Sequence, residues 1–442
     1  MVACLVGTLA CRTGSAGGRR PDVSPVVTVT FAEGGTPFTT SGYGILLGLS
    51  PKFPPDEFIT PLKPSLLRFG NLSTYRRAKD HNAQFMCMLF GDFEDPTVKG
   101  RLNANAHWPG DGGDWASWEN FVTRMAEQAR GAGWTDVIWE PWNEPDINYF
   151  WKRSYRRFLE TYEHAVKAVR RVIPDAVVTG PSLARFNESK IIEFLEFSRE
   201  RGVLPDVINW HEIPLAPNGI PGRVNRIRAY LKKNNINITR FMLPEITEPR
   251  FQFSPGNAVA FIANIHRAGV EASAKSCWAD PDEGHGMDNC LNASLDGLLR
   301  PGRKPRSIWW CYRAYGSMSG RLLPVDFPPR ETTLDGIATY DGLRQKGCIL
   351  VGRTQSNHVL SGRARDRRTQ HVVVKVKGIP DSLTAAGAVR LKIMKIEDSE
   401  ARVSSGPVAI QDALQSVSGS ELLLALPDMG GEDVYYIELS RP

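Results

Sequence analysis

Residues 137–146 read Val-Ile-Trp-Glu-Pro-Trp-Asn-Glu-Pro-Asp, a short apolar run followed at once by aromatic, acidic and proline residues. The run at 137–139 has the composition of a strand buried on both faces, and apolar residues at helical spacing follow at 155–169. A strand that leads through a polar loop into a helix is the repeating unit of a parallel β/α fold. The segment therefore predicts one such unit, with its chemistry in the loop after the strand.

The same alternation extends along the chain in both directions from this segment. Candidate strands lie at residues 45–47, 66–69, 85–89, 137–139, 177–179, 207–210, 241–243 and 272–278. Helical stripes lie at residues 118–129, 155–169, 191–198 and 308–315. Eight buried strands interleaved with helices predict an α/β fold, a (β/α)8 TIM barrel over residues 41–325.

Beyond about residue 324 the helical spacing stops and the pattern becomes one of short strands between Gly and Pro turns. The strand-like runs are residues 348–351, 371–377, 389–396, 422–426 and 434–439. This pattern predicts a C-terminal antiparallel β-sandwich over residues 326–442. A further strand-like run at 26–31, within the N-terminal segment 23–40, can join that sandwich and tie both ends of the chain together.

Composition narrows the possible partners. The net charge of +6 is mild, and no nucleic-acid-binding module accompanies it, so we expect no nucleic-acid partner. No apolar run reaches about 18 residues, so we expect no membrane span. No zinc-spaced Cys/His set, phosphate-binding loop or calcium loop is present, which predicts no metal and no cofactor. Oligomeric state is left open.

The cysteines and the N-terminus leave the cellular location undecided. Seven cysteines spread over 442 residues do not form a disulfide framework, and Cys277 and Cys290 either pair across a loop or remain free thiols. Residues 1–22 fit either a short export segment or a disordered start. The protein is accordingly either exported (extracellular, periplasmic or lipid-anchored) or cytoplasmic.

Glu144 is the sharpest chemical candidate. Pro141 and Pro145 stiffen the backbone on either side of it, Trp142 offers an apolar face on which a sugar ring can stack, and Asn143 can donate to a sugar hydroxyl. The alternative, a surface loop with a capping acid, does not account for this density of tryptophan and proline. We therefore interpret the loop as part of a carbohydrate site.

A second carboxylate closes the apolar run at 241–243. Glu245 directly follows that run and is preferred over Glu248, three residues further on. Two carboxylates on either side of a glycosidic bond can cleave it: one protonates the leaving oxygen, and the other attacks the anomeric carbon or activates a water. The pair therefore predicts a glycoside hydrolase.

The pattern resembles clan A of the glycoside hydrolases, most closely family 39, which contains β-xylosidases and α-L-iduronidases. The resemblance extends from about residue 43 to 439, and its most specific part is the Trp-Asn-Glu-Pro-Asp stretch at 142–146. It implies that Glu144 is the acid/base and Glu245 the nucleophile of a retaining enzyme, which works by double displacement through a covalent glycosyl-enzyme.

The resemblance also implies supporting residues, each with a structural alternative. Asn143 would bind the sugar 2-hydroxyl. Arg68 would support the nucleophile, or it is only a buried ion-pair partner. His211 would end strand six inside the site, or it is a core histidine. Trp278 would end strand eight and form the floor of the sugar site, or it fills the barrel interior.

The chain departs from the family pattern at two points. Glu212 and Ile213 stand where the family often has a Tyr, and Pro244 precedes Glu245 where the family usually has Thr or Asn. Two alternatives to a hydrolase remain: a transglycosylase of the same clan, and a non-catalytic carbohydrate-binding protein. All three predict a carbohydrate partner.

Overall fold

The structure is a computed structural model that describes residues 24–31, 34–90, 108–280, 287–329, 331–355 and 368–442. The predicted export segment at residues 1–22 lies outside these ranges. Among the described residues, no helix combines the length and the apolar character needed to cross a membrane.

The larger part of the molecule is a parallel sheet rolled into a nearly closed barrel. An N-terminal strand, β1 (Val26–Thr30), precedes it and belongs to another sheet. The barrel strands follow in chain order, each pairing in parallel with the next: β2 (Leu66–Phe69), β3 (Gln84–Met88), β4 (Ile138–Glu140), β5 (Val177–Leu183), β6 (Val207–Trp210), β7 (Arg240–Ile246) and β8 (Ala272–Lys275). The strands are almost wholly buried, as the continuous apolar runs in the sequence predict.

Ile45 closes the barrel. It forms parallel bridges with Leu67 of β2 on one side and with Lys275 of β8 on the other. The predicted strand at 45–47 is therefore wrong in its extent, since a single residue occupies the eighth position.

The physical reason lies in the next three residues, whose backbone N–H groups bond to a side chain instead of to a neighbouring strand. The carboxylate of Asp296 accepts all three, at distances of 2.7, 3.2 and 2.6 Å, from Leu46, Leu47 and Gly48. Because these donors are already used, the ladder cannot continue past Ile45.

Helices surround the barrel and pack their apolar faces on it. They are α1 (Tyr75–Asp80), α2 (Ala116–Gly131), α3 (Tyr155–Val172), α4 (Glu188–Glu200), α5 (Ile220–Lys233), α6 (Pro255–Ala268) and α7 (Ser307–Gly316). The helix α3 begins after Ser154, whose side chain accepts from the N–H of Arg157. Its buried face carries the predicted stripe, including Phe158, Tyr162 and Val166.

The loop after β8 contains two short antiparallel ladders and a disulfide. The ladders pair β9 (Ala279–Asp280) with β10 (Met287–Asp288), and β11 (Leu299–Arg300) with β12 (Lys304–Pro305). Cys277 and Cys290 are disulfide-bonded, with their Cα atoms 5.1 Å apart, whereas Cys87, Cys311 and Cys348 are buried thiols.

The C-terminal part consists of two facing sheets. The strands are β13 (Arg321–Leu323), β14 (Val325–Asp326), β15 (Leu334–Asp341), β16 (Lys346–Arg353), β17 (Gln370–Lys377), β18 (Ala388–Ile396), β19 (Val408–Ser416), β20 (Leu422–Met429) and β21 (Val434–Ser440). The six-stranded sheet has the order β13-β15-β16-β21-β18-β19, and the four-stranded sheet has the order β14-β1-β17-β20. Apolar residues of both sheets share one core.

The N-terminal strand β1 lies between β14 and β17 in the smaller sheet. It runs antiparallel to β14 but parallel to β17, with Val26 opposite Val373. The predicted fold class, a TIM barrel followed by a β-sandwich, is confirmed.

Candidate active site

Glu144 and Glu245 lie together at the carboxyl-terminal ends of the barrel strands. Glu144 follows β4 by four residues, and Glu245 is the penultimate residue of β7. One carboxylate oxygen of each, together with a ring nitrogen of His211, forms a group whose atoms lie within 4.8 Å of one another. The two side chains are 10% and 13% exposed, so they sit in a pocket that remains open to solvent.

Arg68 connects the parts of this site. Its side chain is fully buried and donates to three partners: Nε to Glu140 at 2.5 Å, Nη1 to Glu245 at 2.6 Å and Nη2 to Asn143 at 2.5 Å. The planar guanidinium can satisfy three acceptors in fixed directions, which a lysine cannot do. Arg68 is therefore a buried ion-pair partner of Glu140 that also contacts Glu245, the predicted nucleophile.

Asn143 is oriented by this contact. Because its Oδ1 accepts from Arg68, its amide nitrogen is the end left to donate to a ligand. The side chain is 3% exposed, so a ligand hydroxyl that it bonds would have to enter the pocket beside Glu144.

Glu140 anchors Arg68 and was not singled out from the sequence. It is fully buried, and its Oε1 accepts from Ser182 Oγ at 2.7 Å and from Asn209 Nδ2 at 2.9 Å. A charged residue within a buried strand is the signal that points to it, since Glu is almost never fully buried without a partner. Ser182 and Asn209 thus fix the carboxylate of Glu140, which in turn holds Arg68.

His211 follows β6 and contacts both carboxylates. Its Nδ1 lies 2.8 Å from Oε1 of Glu144 and 3.8 Å from Oε1 of Glu245, and its Nε2 is buried without a hydrogen-bond partner among the described residues. Burial disfavours the charged imidazolium, but the neighbouring Glu245 and Glu144 outweigh it and raise the pKa of His211.

Opposing influences act on Glu245. Burial raises the pKa of its carboxyl group above the ordinary value, and the charge of Glu144 acts in the same direction. The positive charges of His211 and Arg68 act against this rise. The protonation of Glu245 therefore depends on these two cations, which a substitution can test.

The backbone is strained where it presents these groups. Glu144 has a φ of 46°, Ser182 a φ of 58° and Thr247 a φ of 83°, all in the left-handed region that residues with side chains seldom adopt. The N–H of Glu144 donates to the carbonyl of Ser182 at 2.9 Å, so two strained residues hold each other. Such strain is concentrated at functional sites, where the surrounding structure must stabilise it.

Trp142 does not face the pocket, and its predicted role as a sugar-stacking surface is wrong. The indole is only 2% exposed, and its Nε1 donates to the carbonyl of Phe150. Other rings cover it on several sides, with centroids 4.9–5.8 Å away: Phe90, Trp108, Trp118 and Trp151. The tryptophan density of the motif reflects this aromatic core, whose packing supports the loop that carries Glu144.

Trp278 lies three residues beyond the end of β8, so the prediction that it ends this strand is also wrong. Its Nε1 donates to the carbonyl of Thr247 at 3.0 Å, two residues after Glu245. The side chain is partly exposed and remains available to a ligand. It therefore contacts the segment that directly follows β7, and its role as the floor of a sugar site stays a prediction.

Glu248 and Glu212, two further acids near these strand ends, lie outside the cluster. Glu248 is half-buried, and burial raises the pKa of its carboxyl group, but it is not grouped with Glu144 and His211. Glu212 contacts the indole of Trp210 at 2.7 Å and Arg223 at 2.6 Å. Glu245 is thus the acid that meets Glu144.

The cluster of Glu144, His211 and Glu245 is the one place in the described part of the chain where three such ligand atoms lie close enough to hold a cation. However, the guanidinium of Arg68 already lies 2.6 Å from Glu245. A second positive charge beside it would be repelled, so the arrangement fits a carboxylate pair better than a metal centre.

Comparison with known proteins identifies the domain type. A family model for glycosyl hydrolases of family 39 matches residues 105–246. The chain is 23% identical over 248 residues to a 3-O-α-D-galactosyl-α-L-arabinofuranosidase of Bifidobacterium longum subsp. longum, covering 49% of this chain and 21% of that protein. It is 35% identical over 219 residues to a β-xylosidase of Geobacillus stearothermophilus, covering 43% of each. The chain thus spans less than half the length of these two curated relatives.

A crystal structure of a monomeric β-xylosidase from Caulobacter crescentus CB15 is similar over 94% of this chain and 99% of that one, with a TM-score of 0.67 and 14% identity. At this identity the likeness establishes the fold. The family match to residues 105–246 agrees with the predicted resemblance. This part of the chain therefore belongs to a domain of glycoside hydrolase family 39, a family of retaining O-glycosyl hydrolases.

Proposed function

We propose that this protein hydrolyses glycosidic bonds with retention of anomeric configuration, with Glu144 as acid/base and Glu245 as nucleophile. The observation that carries the proposal is the separation of at most 4.8 Å between carboxylate oxygens of the two residues. Retaining enzymes hold their carboxyl groups about 5–5.5 Å apart, whereas inverting enzymes leave room for a water at about 6.5–9.5 Å. The short separation favours direct attack by one carboxylate.

The surroundings of the two carboxylates support this division of roles. Arg68 donates to Glu245 at 2.6 Å and favours its ionised form, as a nucleophile requires. The hydrogen bonds of Arg68 go to Glu140, Glu245 and Asn143 and not to Glu144. Glu144 instead forms a hydrogen bond with His211, which can exchange a proton with it. In the first step Glu144 would protonate the departing oxygen while Glu245 bonds to the anomeric carbon. In the second step Glu144 would take a proton from the water that releases the sugar.

The substrate that we propose is a pentoside. The curated relatives are named as an arabinofuranosidase and a β-xylosidase, and both names describe release of a pentose-linked group. In the site, the amide nitrogen of Asn143 is left to donate a hydrogen bond, because its Oδ1 accepts from Arg68. The 2-hydroxyl of a sugar can accept that bond.

Aryl glycosides test the proposal directly. We expect hydrolysis of 4-nitrophenyl β-D-xyloside or α-L-arabinofuranoside in preference to the glucoside and uronide, because the relatives act on pentosides. Proton NMR of the first-formed sugar should show the anomeric configuration of the substrate. Inverted product would contradict the roles assigned here, and products longer than the substrate would identify a transglycosylase. No turnover of any glycoside would favour a binding protein.

The pH profile provides a second test, through His211. Because the charge of His211 lowers the pKa of Glu245, the variant His211→Asn should let that pKa rise further. A nucleophile must be ionised, so the acidic limb of kcat/KM against pH should move to higher pH. His371→Asn is the matched control, since that histidine is 68% exposed on the sandwich. An acidic limb that stays in place or moves to lower pH would show that His211 carries no charge in the free enzyme.

A further inference from the structure

A second concavity lies on the same end of the barrel as the carboxylate pair. It has a volume of about 460 Å³, within the range of about 300–1,000 Å³ that small-molecule sites occupy. One wall is the loop after Ile45 and the other is the loop after β8. The lining residues used below are Ser50, Phe53, Pro54, Leu291 and Arg303.

The two walls are fixed to the barrel and to each other. The guanidinium of Arg77 donates to the carbonyl oxygens of Ser50, at 2.7 Å, and Pro54. Lys275, buried at the end of β8, donates to the carbonyl of Asp296 at 2.7 Å, and the carboxylate of Asp296 holds the backbone that follows Ile45. A cavity between anchored walls is preorganised, so a ligand need not order them on binding.

The lining combines apolar faces with hydrogen-bond donors. Phe53 is 50% exposed and Leu291 78% exposed, so both present apolar surface that a ligand can contact. The guanidinium of Arg303 lies 5.5 Å from the centroid of the Phe53 ring. None of the described residues that line the cavity is acidic. An aromatic face beside the Arg303 guanidinium suits a sugar ring, which has apolar C–H faces and hydroxyls at its edge.

The cavity lies close along the chain to a residue that contacts the segment after Glu245. Trp278 bonds the loop after Glu245, and its neighbour Cys277 is disulfide-bonded to Cys290, which precedes Leu291. The Cα atoms of Cys277 and Cys290 are 5.1 Å apart, and Trp278 and Leu291 each follow one of these cysteines by one residue, a step of about 3.8 Å. The Cα atoms of Trp278 and Leu291 are therefore at most about 13 Å apart. A ligand that passes Trp278 therefore reaches the cavity within a short chain of sugars.

The position of the cavity around the barrel indicates which part of a substrate reaches it. In the ring of strands, β8 lies opposite β4, and Ile45 lies opposite β5. If Glu144 after β4 protonates the leaving oxygen, the leaving group extends toward β4. The sugars on the other side of the cleaved bond then extend toward β8 and Ile45, where the cavity lies.

We propose that this cavity binds a second sugar unit on the non-reducing side of the cleaved bond, stacked on Phe53. The proposal rests on the proposed function, because it uses the roles of Glu144 and Glu245 to orient the substrate. It adds that the enzyme recognises a glycone of at least two sugars instead of a single pentose.

The test compares kcat/KM for pairs of aryl glycosides. One member of each pair is an aryl monosaccharide that the protein cleaves, and the other carries one more sugar at its non-reducing side. An example is 4-nitrophenyl β-D-xyloside with 4-nitrophenyl β-D-xylobioside. The wild-type protein should prefer the extended compound of at least one pair. Phe53→Ala should lower kcat/KM for that compound by about tenfold, equivalent to about 1.4 kcal/mol. It should leave the monosaccharide within about twofold. Leu291→Ala, at a more exposed position, should act in the same direction without risk to the fold.

Tyr149→Ala is the matched control, because Tyr149 is 52% exposed but follows Glu144 on the opposite side of the barrel. It should not change the ratio between the two compounds. Equal loss on both compounds in Phe53→Ala, or no preference in the wild-type protein, would overturn the proposal. If the wild-type protein cleaves no glycoside, the proposed function fails separately. Saturation-transfer NMR with xylobiose then decides: binding lost in Phe53→Ala supports the cavity as a sugar site, and binding unaffected by it refutes this.

Discussion

Replacing Glu245 with glutamine is expected to lower kcat by about 10⁴- to 10⁶-fold, the range seen when a nucleophile that acts with its partners as one unit is removed. Glutamine keeps the size of the side chain and can still accept from Arg68, so the fold should persist. The loss should extend to glycosides with excellent leaving groups, such as 2,4-dinitrophenyl glycosides, because no side chain remains to attack the anomeric carbon. Steady-state kinetics on purified, folded protein measure this.

Glu144→Gln should behave differently, and the difference separates the two roles. Hydrolysis of substrates with poor leaving groups should fall by about 10²- to 10⁴-fold, since general acid catalysis is lost. Departure of 2,4-dinitrophenolate needs no proton, so the glycosyl-enzyme should still form and accumulate. Added azide should then accelerate turnover of Glu144→Ala and give a glycosyl azide of retained configuration.

Glu248→Gln is the control for both variants. Glu248 lies three residues from Glu245 but outside the carboxylate cluster, so its loss should change kcat by less than about tenfold. If Glu248→Gln abolished activity while Glu245→Gln did not, the nucleophile assignment would be wrong. If both variants of the carboxylate pair kept wild-type rates, the protein would not be a hydrolase acting through this site.

Replacing Arg68 with methionine should destabilise the protein by about 3–5 kcal/mol, the cost of breaking a buried ion pair by removal of one partner. Arg68 and Glu140 are both fully buried, so the substitution leaves an uncompensated carboxylate inside the barrel. Glu245 and Asn143 also lose their donor, and activity should fall with stability. Denaturant unfolding followed by tryptophan fluorescence measures the change.

A double variant distinguishes the charge from the packing. In Arg68→Met with Glu140→Gln, the buried charge is gone, while the amide oxygen can still accept from Ser182 and Asn209. We expect most of the lost stability to return without recovery of activity, because Glu245 still lacks its cation. Arg344→Met is the surface control, 67% exposed, and should change stability by less than about 0.5 kcal/mol. If Arg68→Met alone were as stable as the wild-type protein, the buried ion pairs of Arg68 would not hold the site together.

Much of the barrel was predictable from local pattern alone. Strands β2 and β6 begin and end where the apolar runs predict, and the other predicted barrel strands after Ile45 overlap their observed counterparts. Helices α5 and α6 were missed for opposite reasons. The buried face of α5 is carried by only a few spaced residues, whereas α6 is buried on nearly all sides and so shows no polar stripe.

The sandwich was less predictable. Strand β19 (Val408–Ser416) was not recognised because it is exposed along most of its length and its residues do not alternate between buried and exposed. Strand β15 (Leu334–Asp341) was also missed: a glycine and two aspartates interrupt its apolar character, yet most of it is buried. In both cases neighbouring strands, and not the local composition, make the segment a strand.

The sequence by itself determined the alternation of buried strands and helices. It also determined which acidic residues stand at or just after the ends of strands. Those properties depend on residues two to four positions apart. The tertiary structure alone decided which acids meet, since Arg68 and Glu245 lie 177 positions apart and His211 and Glu144 lie 67 apart. It also decided that Trp142 packs in the core while Trp278 stays partly exposed against Thr247, because burial depends on what the rest of the chain places against a side chain.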